Sequence, residues 1–148
     1  MSSDKHSYFM SLALEESKKA LPNCLPNPPV GCVLVKEGVV VSSGFTQVPG
    51  SEHAEANALA KLTGSLEGVS AYITLEPCSF HGRTPSCAQA LVKRNIGQVY
   101  IGITDPDPRN NGKGTAMLKK AGIPVTEGIM SRAVLEYLTP YLAKSMVV

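Results

Sequence analysis

The stretch from Ala71 to Ile103, AYITLEPCSFHGRTPSCAQALVKRNIGQVYIGI, decides the fold. Ala71–Leu75 reads as a short buried strand and Val99–Ile103 as another, each an apolar, β-branched and aromatic run of strand length. Between them Thr84-Pro85 offers a helix start, a hydroxyl cap followed by proline at the first helical position, and that helix runs to about Arg94. Strand, helix, strand in close succession predicts a crossover between parallel strands.

Working outward, Phe9, Leu12, Ala13, Ala20 and Leu21 recur at helical spacing, which predicts an amphipathic helix from Ser7 to about Leu21. A proline-rich loop follows, Pro22 to Pro29. The runs Val30–Val35 and Val39–Val41, joined by Lys36-Glu37-Gly38, suit an antiparallel hairpin. Glu52 to Leu62 reads as a helix with Ser51 as its cap. Past the deciding stretch lie a loop (Thr104–Gly114), a helix (Thr115–Ala121) stopped by Gly122, a short strand (Pro124–Thr126) and a last helix from Ser131 to about Leu142. The expected architecture is one layered α/β domain over residues 1–148 with a mixed five-stranded sheet.

The chemistry resides in His53-Ala54-Glu55, Pro77-Cys78 and Cys87. One imidazole and two thiolates can hold Zn²⁺ and leave its fourth tetrahedral position for water, whose pKa the metal lowers towards ~7. Glu55, a carboxylate that is not a ligand, can then relay a proton from that water to a departing amine, the pattern of a hydrolytic deaminase. His53 and Glu55 are expected in the first turn of one helix and Cys87 in the first turn of another, where the helix dipole favours thiolate. The alternative, a closed structural zinc site, needs a fourth protein ligand, and none lies near these motifs. Cys32 reads as core and Cys24 as inert, with a ligand role for Cys24 left open; His6 reads as solvated.

Eight residues separate Cys78 from Cys87, where the general deaminase signature has two. This longer loop carries Ser79, His81 and Arg83 beside the metal. His81 is a candidate substrate contact, and Arg83 a candidate anchor for an anionic group such as a phosphate. The plain reading of Arg83 is a solvated loop charge.

Bulk properties exclude several classes. Among 148 residues, 14 Lys and Arg face 12 Asp and Glu, a formal net charge of +2 without a basic stripe, so no nucleic-acid partner is expected. The basic pairs Lys18-Lys19, Lys93-Arg94 and Lys119-Lys120 read as solvated helix faces. No apolar run reaches the ~18 residues of a membrane span. Four cysteines without a secretory leader suggest a reducing compartment, and the expected location is cytoplasmic.

Taken together, Asn27-Pro28-Pro29-Val30-Gly31-Cys32-Val33, His53-Ala54-Glu55, Thr74 through Cys87, and Asp105-Pro106-Asp107-Pro108 with Gly112-Lys113-Gly114 resemble the riboflavin-pathway pyrimidine deaminases. The resemblance covers nearly the whole chain, and the long loop between the cysteines is its most specific mark. It implies a cytidine-deaminase-like α/β/α sandwich. It also implies hydrolytic removal of the 2-amino group from a 2,5-diamino-6-(ribosylamino or ribitylamino)pyrimidin-4-one 5′-phosphate. By the same resemblance His53, Cys78 and Cys87 hold zinc, Glu55 shuttles protons, Asn27 hydrogen-bonds the pyrimidine, Arg83 serves the phosphate end and the Asp105 loop helps to close the pocket. Deaminases of this fold commonly assemble as dimers or higher homo-oligomers. Three positions depart from the usual bacterial pattern: Thr46 and Phe80 stand where His is common, and Asp107 where Asn is. These departures, with no reductase half following the last helix, lead us to expect a preference for the already reduced ribitylamino substrate. The rival readings are a deaminase of another pyrimidine, a nucleoside or a tRNA base, and a catalytically silent zinc module. A silent module would have no use for Glu55.

Overall fold

The computed structural model describes residues 2–79 and 86–147, apart from the side chains of residues 2–3 and 143–147. Helix α1 (Ser2–Lys18) leads through the proline-rich loop into the hairpin β1 (Gly31–Lys36) and β2 (Val39–Phe45). Helix α2 (Ala54–Leu59), β3 (Val69–Leu75), α3 (Cys87–Lys93), β4 (Gln98–Ile103), α4 (Lys113–Lys120), β5 (Val125–Glu127) and α5 (Ser131–Val147) complete the chain. The five strands form one sheet in the order β2-β1-β3-β4-β5. β1 runs antiparallel to both β2 and β3, whereas β3–β4 and β4–β5 are parallel. The expected crossover across Ala71–Ile103 is therefore present.

The hairpin turn is tighter than expected. Lys36 pairs with Val39, leaving a two-residue turn in which Glu37 and Gly38 both take positive φ, 51° and 77°. That is the turn whose twist matches the flanking strands. β2 continues past Val41 to Phe45, and a register shift between Leu34 and Val35 leaves Val41 as a bulge.

Helices cover both faces of the sheet, giving the three-layer α/β/α arrangement. α1 and α5 lie on one face, with α2 and α3 on the other and α4 beside α3 and β5. Glycines mark the close crossings: a Cβ at Gly31 would strike the Ala13 carbonyl of α1, and one at Gly44 would lie 2.5 Å from both Ala54 O and Ala58 N of α2. Strand β1, flanked by β2 and β3, is buried from Gly31 to Val35, and Leu34, Ile73, Leu91, Ile101, Leu118 and Leu138 anchor the two core layers. Among the described residues no helix is long and apolar enough to cross a membrane.

Three local expectations are corrected. His6 is not solvated: α1 begins at Ser2, so its ring stacks on Tyr100 at 4.3 Å between centroids, and its Nδ1 lies 2.7 Å from the Tyr72 hydroxyl. Ser51 does not cap α2, because the helix begins only at Ala54 and the extended residue His53 occupies the cap position. The cap of α3 is Ser86, whose hydroxyl accepts from the Gln89 amide at 3.2 Å; Thr84 and Pro85 lie outside the described residues.

Candidate metal centre and its cleft

His53 precedes the first turn of α2 with extended φ and ψ of −73° and 169°, and its side chain makes no cap hydrogen bond. The imidazole is thus available to turn towards the sheet edge, where the chain leaves β3 at Glu76-Pro77-Cys78. Cys87 opens α3, and its amide donates to Cys78 Sγ at 3.2 Å, while the Ala88 amide donates to the Cys78 carbonyl at 3.0 Å. The start of α3 therefore holds Cys78 by backbone N–H groups, which favour a thiolate there. Cys78 sits well below the usual thiol range, chiefly because Cys87 hydrogen-bonds to it, and Cys87 is pushed up in return.

The three donors converge. His53 Nδ1 lies 3.4 Å from Cys87 Sγ and 3.8 Å from Cys78 Sγ, and all three ligand atoms fall within 4.8 Å of one another. A tetrahedral ion with Zn–S and Zn–N bonds of ~2.3 and ~2.0 Å separates such donors by about 3.6 Å, so the set fits zinc in size as well as in softness. Among the described residues the donor group consists of these three, which leaves a fourth position for water or substrate.

Glu55 follows in the first turn of α2 and is buried at 4% exposure. Burial pushes its carboxyl up to about 7, with the neighbouring Cys78 adding to the effect and His53 opposing it. A cation held by the three donors would favour its ionised form. A carboxyl poised near neutrality can both accept and return a proton.

His53, Glu55 and Cys78 line a cleft of about 250 Å³ together with Asn27, Thr46, Glu76, Asp105, Asp107 and Arg109. Asn27 and Asp105, both expected at the substrate, thus border the same space as His53, Glu55 and Cys78. Thr46 lines it too, but its hydroxyl accepts from the Val30 amide at 3.0 Å and reaches the Pro28 carbonyl at 3.3 Å. These bonds fasten the Asn27–Val30 loop, and Thr46 borders the cleft where a substrate contact was expected of it. Ser79 is not in the cleft lining; its amide donates to Asn110 Oδ1 at 3.0 Å. His81 and Arg83 fall in residues 80–85 and lie outside the described residues.

Three residues that sequence reasoning did not single out hold the surroundings of the site in place. Glu76, at 3% exposure, accepts from the amides of Asp105 and Gly112 at 3.0 Å each and of Thr115 at 2.9 Å, tying the 104–112 loop and the start of α4 to the metal-bearing edge. Asn110, fully buried, also donates to the Pro77 carbonyl at 3.1 Å and to Asp105 Oδ2 at 3.3 Å. Arg94 forks onto the carbonyls of Leu59, Leu62 and Gly64 at 3.1, 2.8 and 2.8 Å, closing the C-terminal end of α2. The Glu-Pro-Cys run is the one sequence signal that pointed near these contacts, whose partners lie far away along the chain.

The profile of the "Cytidine and deoxycytidylate deaminase zinc-binding region" matches residues 3–103. The chain is 45% identical over 140 residues to the riboflavin biosynthesis protein RibD of Chlamydia trachomatis, covering 95% of this chain and 37% of that protein. It is 42% identical over 130 residues to a diaminohydroxyphosphoribosylamino-pyrimidine deaminase of Buchnera aphidicola, covering 88% of each. The structure of Acinetobacter baumannii RibD superimposes with a TM-score of 0.93 at 40% identity, over 99% of this chain and 41% of that one. The chain thus spans little more than a third of the curated RibD sequence from Chlamydia, and most of the Buchnera deaminase.

Proposed function

The chain belongs to the zinc-binding cytidine and deoxycytidylate deaminase family and, within it, to the riboflavin-pathway pyrimidine deaminases; from that membership we propose that it removes the 2-amino group of 2,5-diamino-6-(ribosylamino)pyrimidin-4-one 5′-phosphate by hydrolysis. The observation that carries the reading is the convergence of His53, Cys78 and Cys87 beside the buried Glu55, at the base of a cleft sized for a small ring. The ribosylamino form is favoured by the name of the Buchnera relative, which this chain matches over most of its length. The ribitylamino form, expected from the departures at Thr46, Phe80 and Asp107, is the alternative that the assay below distinguishes.

His53, Cys78 and Cys87 would hold zinc, whose contribution is the Lewis acidity that lets a water molecule give up a proton near neutral pH. Glu55 accepts that proton as the water oxygen bonds to C2 of the pyrimidine. It then delivers a proton to the amino group, the C–N bond breaks, ammonia leaves and the ring retains a carbonyl. Asn27, held by the loop that Thr46 fastens, orients the ring, and Asp105 borders the same cleft. Burial of Glu55 in a protein-walled pocket keeps its proton transfers directed at the substrate. The same reading assigns a small-molecule substrate, a cytoplasmic location and self-association at least to a dimer, which sedimentation would establish.

Ammonia release from the ribosylamino and ribitylamino phosphates, with cytidine alongside and metal content measured on the same sample, tests the proposal. Glu55→Gln should keep zinc while slowing turnover about 10²–10⁴-fold. Preferential turnover of cytidine, or a Glu55→Gln enzyme of undiminished rate, would refute it.

A further inference from the structure

Cys78 is a ligand that stands outside the regular elements: β3 ends at Leu75 and α3 begins only at Cys87. For its sulfur to stay in place, the backbone around it has to be held by other groups. Along β3 the parallel ladder with β4 does the holding. Its last rung pairs Leu75 with Ile103, and the Glu76 amide still donates to the Ile103 carbonyl at 3.0 Å. β4 ends there, one residue short of Pro77, which has no N–H of its own to offer.

A side chain takes over where the ladder stops. Asn110 Nδ2 donates to the Pro77 carbonyl at 3.1 Å, and Asn110 Oδ1 accepts from the Ser79 amide at 3.0 Å. These are the two groups that a residue of a neighbouring parallel strand would bond, the carbonyl before Cys78 and the N–H after it. The carboxamide therefore brackets Cys78 as one more rung of the sheet. Its partners also fix which end is which, since a carbonyl demands the nitrogen and an N–H the oxygen. The second hydrogen of Nδ2 goes to Asp105 Oδ2 at 3.3 Å, and Asp105 lines the cleft that Cys78 also borders. Asn110 is fully buried, and the start of α4 closes on the same carbonyl, which a Cβ at Gly114 would strike. The bonds from α3 are different ones: the Cys87 and Ala88 amides reach the sulfur and the carbonyl of Cys78 itself.

Resting on the zinc reading above, we propose that Asn110 is the positioning residue of the metal centre: it holds the Cys78 sulfur at ligating range of His53 and Cys87 and ties that ligand to the cleft carboxyl of Asp105. Asn110 does not line the cleft, so it acts through Cys78 and Asp105. A leucine of similar size would fill the same space and offer neither donor nor acceptor. The Pro77 carbonyl and the Ser79 amide would then lose their partners, and the backbone on either side of Cys78 would be free to shift.

The test measures zinc affinity against a competing chelator, and the thiolate-to-cobalt absorption band after loading with Co²⁺, in wild type, Asn110→Leu and Asn110→Ser. Circular dichroism first establishes a temperature at which each variant is folded. Asn110→Ser is the milder change, because a single hydroxyl cannot span both Pro77 and Ser79, and it decides the matter if Asn110→Leu does not fold. Zinc affinity should fall about ten- to a hundredfold, the range for groups that orient metal ligands, and the cobalt band should weaken. Asn111→Ala, at the exposed neighbouring position, should leave both quantities as in wild type. A role in folding alone would lower the melting temperature and leave the affinity and the cobalt band of the folded variants unchanged, which would overturn the proposal. A wild type that takes up neither metal would overturn this proposal and the zinc reading together. If wild type holds the metal but deaminates neither pyrimidine, the substrate reading fails by itself, and the loss of zinc affinity still decides this inference.

Discussion

Replacing Glu76 by Gln changes two atoms' chemistry and almost no volume, yet it should be among the more damaging substitutions in this chain. The two carboxyl oxygens accept from three backbone amides at 2.9–3.0 Å, and the residue is 3% exposed, so water is not at hand to replace a lost partner. An amide must present N–H groups where one oxygen was. If it keeps Oε1 for Asp105 and Gly112, the Thr115 amide faces a donor; in the flipped orientation two amides do. A buried N–H left without an acceptor costs about 1–3 kcal/mol, and weakening of the remaining bonds brings the expected loss to about 2–4 kcal/mol. That is a sizeable share of the ~5–15 kcal/mol that holds a domain together. Urea titration of the metal-loaded protein, with the slope against denaturant unchanged, measures it. Hydrogen exchange should quicken at Asp105, Gly112 and Thr115 before it does so in β3. A loss below about 1 kcal/mol with those three amides still protected would refute the reasoning.

Arg94→Ala removes three hydrogen bonds, to the carbonyls of Leu59 at the end of α2 and of Leu62 and Gly64 in the turn that follows. It should cost about 2–3 kcal/mol in thermal unfolding, and Arg94→Lys should recover little because an ammonium cannot span the three acceptors. Gly44→Ala would place a Cβ 2.5 Å from two backbone atoms of α2. Overpacking of about 1–3 kcal/mol is expected there, and because α2 carries Glu55 and follows His53, bound zinc per chain should fall along with the melting temperature.

Local spacing made much of the site readable in advance. His53, Glu55, Cys78 and Cys87 stand in runs whose order and secondary-structure context are short-range properties, and the structure brings their side chains to one place. The alternation of strands and helices was likewise local and made the parallel crossover from β3 to β4 readable, whereas the order of the five strands came only with the structure. Contacts between a side chain and a distant backbone were not legible. Glu76 reaches amides 29, 36 and 39 residues away, and a backbone N–H has no letter of its own in the sequence. Ser51 and Thr84-Pro85 carried plausible cap chemistry, but the extended residue His53 and a hydroxyl at Ser86 took the cap positions. His6 was misjudged because its value lies in Tyr72 and Tyr100, which only the folded sheet sets beside it.

The bulge at Val41 has a consequence for life at high concentration. β2 borders the sheet, and Val39, Val40 and Val41 are 60%, 40% and 38% exposed, a sticky rim of the kind on which one molecule could template another. One surplus residue breaks the regular rhythm of hydrogen-bonding groups along that rim, so a neighbouring rim cannot zip against it over its full length. What looks like an irregularity in the hairpin is a guard against runaway fibre growth, obtained without giving up the valines whose propensity builds the strand.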